Sequence, residues 1–237
     1  MTEEAVYDWR PVKGFAFSGL FWGAVSILIG LFISIQMWMP ELNFPPYLTY
    51  GRLRAVHVNG LAFGFAVAEI FALSYYMVQK LTRRTLVLPQ IAMAQLYIFN
   101  VALVAAAVTL LMGYTQSKEY AELEWPLDIG VVILWVMFAV VIFGTIIKRK
   151  EEQMYISLWY LIATIIAVAV LYIVNNLSIP AGLLKSYSLF AGVNDANVEW
   201  WYGHNAVGFV FTTPILAMFY YFLPKSTGLP IYSHRLS

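Results

Sequence analysis

A chain of 237 residues that is 61% hydrophobic, 17% aromatic and only 11% charged, with a mean hydropathy of +0.72, is far from the balance of a water-soluble domain and reads as an integral membrane protein. Its formal net charge of +1 gives no reason to expect nucleic acid or another polyanion as a partner. The absence of cysteine excludes disulfides, thiolate metal sites and a covalently attached c-type haem, so any redox metal must be held by histidine or by oxygen ligands.

Residues 1–14 carry Glu3, Glu4, Asp8, Arg10 and Lys13 and lack a small-residue cleavage site, so no removable signal peptide is expected. Six apolar runs follow, each near the 20 or so residues that a helix needs to cross a bilayer. They lie near 15–38, 56–79, 90–113, 129–148, 155–177 and 199–222. The expected fold is therefore a single all-α transmembrane domain over residues 1–237. The joints carry breakers and charges: Pro40, Pro45 and Pro46, then 80–89, 114–128, 148–153 and 178–197. Internal repeats and low-complexity tracts are absent.

Basic residues are divided unevenly between the two sides. With the N-terminus inside, Arg10, Lys13, Lys80, Arg83, Arg84, Lys148, Arg149, Lys150, Lys225 and Arg235 fall on the inner side, ten of the fourteen, against Arg52, Arg54, Lys118 and Lys185 on the other. That asymmetry predicts both termini in the cytoplasm. The outer joints instead collect Glu119, Glu122, Glu124 and Asp128 in one and Asp195 and Glu199 in the other.

An imidazole inside hydrocarbon is costly and marks a candidate site. His57 lies just inside the outer end of the second run and His204 just inside the outer end of the sixth, at one depth although 147 residues separate them. Either could bond a carbonyl or bridge helices, but two at one level favour ligation of a metal or cofactor. Arg52 and Arg54 stand about one turn outward of His57, either as interfacial anchors or as forks for an anionic group. Gly60, Ala62, Gly64, Ala66 and Ala68 thin the second helix for a flat ligand or a close helix neighbour.

Five blocks then carry a resemblance: Gly51-Arg-Leu-Arg-Ala-Val-His57-Val-Asn59, Gln116-Ser-Lys-Glu-Tyr-Ala-Glu122-Leu-Glu-Trp125, Lys148-Arg-Lys-Glu151, Tyr172-Ile-Val-Asn-Asn176-Leu177, and Trp200-Trp-Tyr-Gly-His204-Asn-Ala-Val-Gly-Phe209. In order and spacing, over the whole chain, the sequence resembles the catalytic subunit of the cbb3-type (C-family) haem-copper cytochrome c oxidases. The resemblance implies reduction of dioxygen to water with electrons from cytochrome c, delivered through c-type haem subunits, with proton uptake from the cytoplasm across a bacterial inner membrane. It also implies residue roles. His57 matches an axial ligand of the low-spin haem b, Arg54 a residue beside the haem propionates, and His204 one of three histidines on the copper ion CuB. Glu119, with Glu122 nearby, falls where the family places a calcium ion, and Thr212, Tyr220 and Ser237 run in the direction of its proton-input path.

Family members have twelve core helices, and this chain supplies the first six. Its sequence ends at Ser237, where a seventh helix is expected, so the other CuB histidines, the ligand of the high-spin haem b and the second ligand of the low-spin haem must come from a C-terminal half, on this or another chain. Glu69, mid-helix, is expected to be protonated and hydrogen-bonded or to join a water-filled proton path, and His234 is given no ligand role. Two alternatives stay open: a nitric oxide reductase-like relative, and a half-length membrane scaffold or assembly protein without redox chemistry.

Overall fold

The computed structural model describes residues 6–116 and 118–237; Met1–Ala5, with Glu3 and Glu4, and Ser117 of the second block lie outside the described residues. Six helices are long and apolar enough to cross a membrane: α1 (Arg10–Trp38), α2 (Tyr50–Thr82), α3 (Pro89–Met112), α4 (Trp125–Ile147), α5 (Ile156–Asn175) and α6 (Val193–Thr227). Each apolar run corresponds to one of them. α2 and α6 begin six residues before the hydropathy limits, at Tyr50 rather than 56 and Val193 rather than 199. The added turns are helical but polar, holding Arg52, Arg54 and Asp195, which a hydropathy window discards.

The boundaries follow from local chemistry. α1, α3 and α4 open with proline in the first turn, where the missing N–H costs nothing. α3 and α6 stop at Gly113 and Gly228, whose φ of 88° and 69° suit a residue without Cβ. Between α5 and α6 the 178–197 joint forms an antiparallel hairpin, β1 (Ser178–Gly182) with β2 (Lys185–Ser188). Trp125 Nε1 donates to the Gly182 carbonyl at 2.9 Å and Ser186 Oγ to Glu124 Oε2 at 2.7 Å, which fasten this hairpin to the start of α4.

α2 occupies the middle of the bundle and contacts each of the other five helices. Beside it Phe15, Phe71, Tyr75, Phe99 and Phe138 form an aromatic cluster with ring centroids 4.7–6.0 Å apart. Lipid tails are as apolar as these rings, so close packing and buried polar bonds do the joining. Tyr75 OH donates to Gln95 Oε1 at 2.5 Å, and Gln95 Nε2 reaches the Leu134 carbonyl at 3.3 Å, linking α2, α3 and α4.

Two helices depart from α geometry. α2 widens into π turns over Gly60–Val67 and α6 over Val207–Thr212. Each begins three residues beyond a histidine, His57 in the first and His204 in the second. Below the wide turns the two helices meet directly, with Tyr76 stacked on Phe222 at 6.0 Å and edge-on to Tyr221 at 5.9 Å.

Candidate functional site

His57 is half-buried and leans on α1. Its Nδ1 lies 2.7 Å from the Ser26 carbonyl. A carbonyl only accepts, so Nδ1 carries a proton, and in the neutral ring the lone pair that a metal can use is then on Nε2. The ring rests against α1 at Gly30, where an added Cβ would meet it.

His204 sits on the exposed face of α6, flanked by exposed Trp200, Trp201 and Val207. Among the described residues, no hydrogen bond or ion pair reaches its ring. The neighbouring Asn205 turns back on its own helix, with Nδ2 donating to the Trp201 carbonyl at 2.7 Å.

The joint between α3 and α4 clamps these two helices together. Arg54, three residues before His57, donates to Glu119 Oε1 at 2.8 Å and Oε2 at 3.3 Å. The Glu119 backbone N–H donates to Glu199, five residues before His204, at 3.0 Å. One residue beyond, the Tyr120 carbonyl accepts from Tyr202 OH at 2.9 Å, and Glu122 Oε2 accepts from Asn59 Nδ2 at 3.0 Å. Burial lifts the Glu122 carboxyl above its ordinary value, and the Asn59 amide pulls it partly back. Lys118 is almost fully buried, donating to the Asn175 carbonyl at 2.7 Å and pairing with Asp195 at 3.1 Å. The acids of these joints are thus tied into a network, with Glu122, Glu124 and Asp128 buried and Glu119 and Asp195 partly exposed. Asp128 completes it, accepting from Tyr172 OH and from Gln116 Nε2, each at 2.7 Å.

The remaining candidates are spread along the bundle. Thr212 Oγ1 donates to the Val207 carbonyl of its own π segment at 3.1 Å, and Ser237 Oγ to the Ser233 carbonyl at 2.6 Å. Tyr220 stacks on Tyr160 at 5.6 Å and accepts Tyr155 OH at its carbonyl, while no described residue bonds its hydroxyl. Glu69 presses against α1 at Gly19 with a buried Oε1 that has no described partner. His234 is 6.2 Å edge-on from Tyr155, at the end of the bundle away from His57 and His204. A cavity of about 160 Å³ lies inside the bundle, walled by residues such as Phe63, Leu103, Trp135, Val168 and Val210, and neither histidine lines it. Among the described residues no three His, Asp or Glu side chains gather as a metal site.

Several of these features were hidden in the sequence. Ser26 and Gly30 carry an ordinary signal, a stripe of small residues at Gly19, Gly23, Ser26 and Gly30 along one face of α1. The π turns and the clamping role of Glu199 carry none.

Six membrane-spanning helices, with His57 held against a helix carbonyl and His204 open on a helix face, define a class: polytopic integral membrane proteins with ionisable side chains inside the bundle. Within that class the chain belongs to the family described as cytochrome c and quinol oxidase polypeptide I, whose model matches residues 10–237. It is 47% identical over 232 residues to the cbb3-type cytochrome c oxidase subunit CcoN1 of Stutzerimonas stutzeri, a match covering 98% of this chain and 49% of that protein. It is also 41% identical over 228 residues to a cytochrome c oxidase subunit 1 homolog of Agrobacterium tumefaciens, covering 95% of this chain and 42% of the relative. A cytochrome c oxidase subunit 1 of Rhodobacter capsulatus is 39% identical over 245 residues, covering 97% and 46%. The chain spans about half the length of the relatives it matches.

Proposed function

We propose that this chain is the N-terminal half of the catalytic subunit of a cbb3-type terminal oxidase, which reduces dioxygen to water with electrons from cytochrome c passed through c-type haem subunits. The observation that carries the reading is the His57 geometry, a ring whose Nδ1 is committed to a carbonyl and whose Nε2 is left for a metal. The near-complete coverage of this chain by the CcoN1 match supports it. The bundle would lie in a bacterial inner membrane with both termini in the cytoplasm, as its basic residues favour.

The residues fit the cofactors that this reading requires. His57 would be an axial ligand of a low-spin haem b, against a helix backbone with no intervening side chain. Arg54 stands one turn away as a fork for propionates. His204 would be one CuB ligand, its remaining partners and those of the high-spin haem b coming from a C-terminal half of the subunit. Glu119 would hold calcium, but its two oxygens are on Arg54, so guanidinium and cation compete for one carboxylate. When bound, the haems and copper supply electron transfer and oxygen reduction, while this chain's residues bind and orient them. Protons would enter past Ser237, beyond the end of α6, and continue along α6 past Tyr220 and Thr212.

The test is His57→Ala and His204→Ala in the complex isolated from membranes. The first is expected to lose the low-spin haem b absorption and the second to lose copper while keeping that haem. Unchanged haem and copper in both would refute the reading and leave the scaffold. Turnover with dioxygen against nitric oxide separates it from a nitric oxide reductase-like relative.

A further inference from the structure

Along α1, four small residues meet α2 at successive turns. A Cβ on Gly19 would meet Ala68 and Glu69, one on Gly23 would meet Phe65, and Ser26 lies where a Cβ on Gly60 would reach. The fourth position, Gly30, faces His57. Small residues in such a stripe ordinarily serve close helix approach alone. Gly30 differs because its neighbour is a ring whose orientation is already fixed by a hydrogen bond one turn away on the same helix.

We infer that Gly30 and the Ser26 carbonyl form a seat that sets the tautomer and angle of the His57 ring, making Gly30 a positioning residue for the haem iron; this rests on the reading of His57 as a haem ligand. A Cβ at Gly30 would stand 2.6 Å from Cε1, 2.9 Å from Nδ1 and 3.3 Å from Nε2, so the Cε1 corner of the ring, with Nδ1 beside it, lies against the bare backbone. The Nδ1–carbonyl distance of 2.7 Å has no slack. A methyl group therefore cannot be added without swinging the ring, and the swing lengthens that bond and redirects Nε2 together. Ser34 Oγ caps the Gly30 carbonyl at 2.8 Å and stiffens the same stretch of α1. Partners of a ligating histidine fix both its orientation and its basicity, so the seat tunes the metal as well as holding it.

Gly30→Ala in the complex isolated from membranes tests this, with Gly23→Ala as the packing control. A Cβ at Gly23 would be 3.1 Å from the Phe65 ring, a tight α1–α2 contact on the same stripe that touches no imidazole. Gly30→Ala is expected to shift the midpoint potential and electron spin resonance signal of the low-spin haem and to weaken haem retention about tenfold, the usual lower bound for a lost ligand-orienting partner. Gly23→Ala should keep both signals. Wild-type signals in Gly30→Ala, or the same shift in Gly23→Ala, would overturn the inference. His57→Ala separates the levels: retained low-spin haem there refutes the ligand reading itself, while its loss alongside an unaltered Gly30→Ala refutes the seat alone. Should Gly30→Ala fail to assemble, double resonance on the ¹⁵N-histidine-labelled wild-type complex reads the ligand's Nδ1 proton directly, and a ligand nitrogen without a hydrogen-bonded proton overturns the proposal.

Discussion

Arg54 and Glu119 meet as fork and carboxylate, at 2.8 and 3.3 Å, with the two side chains 45% and 26% exposed. An ion pair so open to solvent is worth about 1 kcal/mol or less, so exchanging its partners is cheap. In the loaded complex Arg54 is expected to turn to a propionate and release Glu119 to calcium. Glu119→Gln should therefore lose calcium on dialysis while keeping the low-spin haem spectrum. Unchanged calcium by elemental analysis would remove Glu119 from the ligand set.

Lys118 offers a stability test independent of any cofactor. Its side chain is 3% exposed, and its ammonium satisfies both the Asn175 carbonyl and Asp195. Lys118→Met keeps the bulk and deletes the donors, leaving a buried carbonyl without its bond at a cost of about 1–3 kcal/mol. Asp195→Asn should cost less, because that carboxylate is 30% exposed. The order of the two losses, read from thermal unfolding of the purified complex, checks the assignment.

Glu122 gives a pH dependence with a definite sign. Burial raises its carboxyl above the ordinary 4.5, so the folded chain binds its proton more tightly than the unfolded chain does. Its contribution to stability is complete below about pH 4.5 and is lost as pH rises through the raised folded value. Glu122→Gln removes the titration and should flatten the fall in melting temperature between acid and neutral pH. A slope identical to wild type would mean that the group is solvated.

Tyr220 is the sharpest probe of proton entry. Thr212 and Ser237 spend their hydroxyl protons on their own backbone, whereas no described residue bonds the Tyr220 hydroxyl. Tyr220→Phe is expected to slow turnover about tenfold or more with both haem spectra intact, within the range for a lost proton-transfer group. Wild-type turnover would leave these three hydroxyls a local role.

Hydropathy alone located all six helices, because a bilayer demands continuous apolar runs and the chain supplies them. It clipped the first turns of α2 and α6, where Arg54 and Asp195 are helical yet polar. The two histidines could be picked out because ionisable groups are rare at that depth, and both stand on helices clamped by one joint. How they are held was less legible. Glu119 reads as one acid among several in an exposed joint, and only the folded chain shows its carboxylate on Arg54 and its N–H on Glu199. The Ser26 carbonyl is backbone, so residue identity at position 26 says nothing about its role in holding His57.

The wide turns of α2 and α6 set the angular phase of the helix above them against the helix below. Each α-helical residue turns the chain by about 100°. A wide turn takes up one residue more than an α turn does, so re-forming Gly60–Val67 as α-helix with all its residues retained would rotate the His57 turn against the lower half of α2, which is pinned through Tyr76 to Phe222. Arg54 would leave Glu119 in the same motion. The extra residue beneath each histidine therefore works as an offset that lets one end of the helix be indexed by packing and the other by its polar clamp.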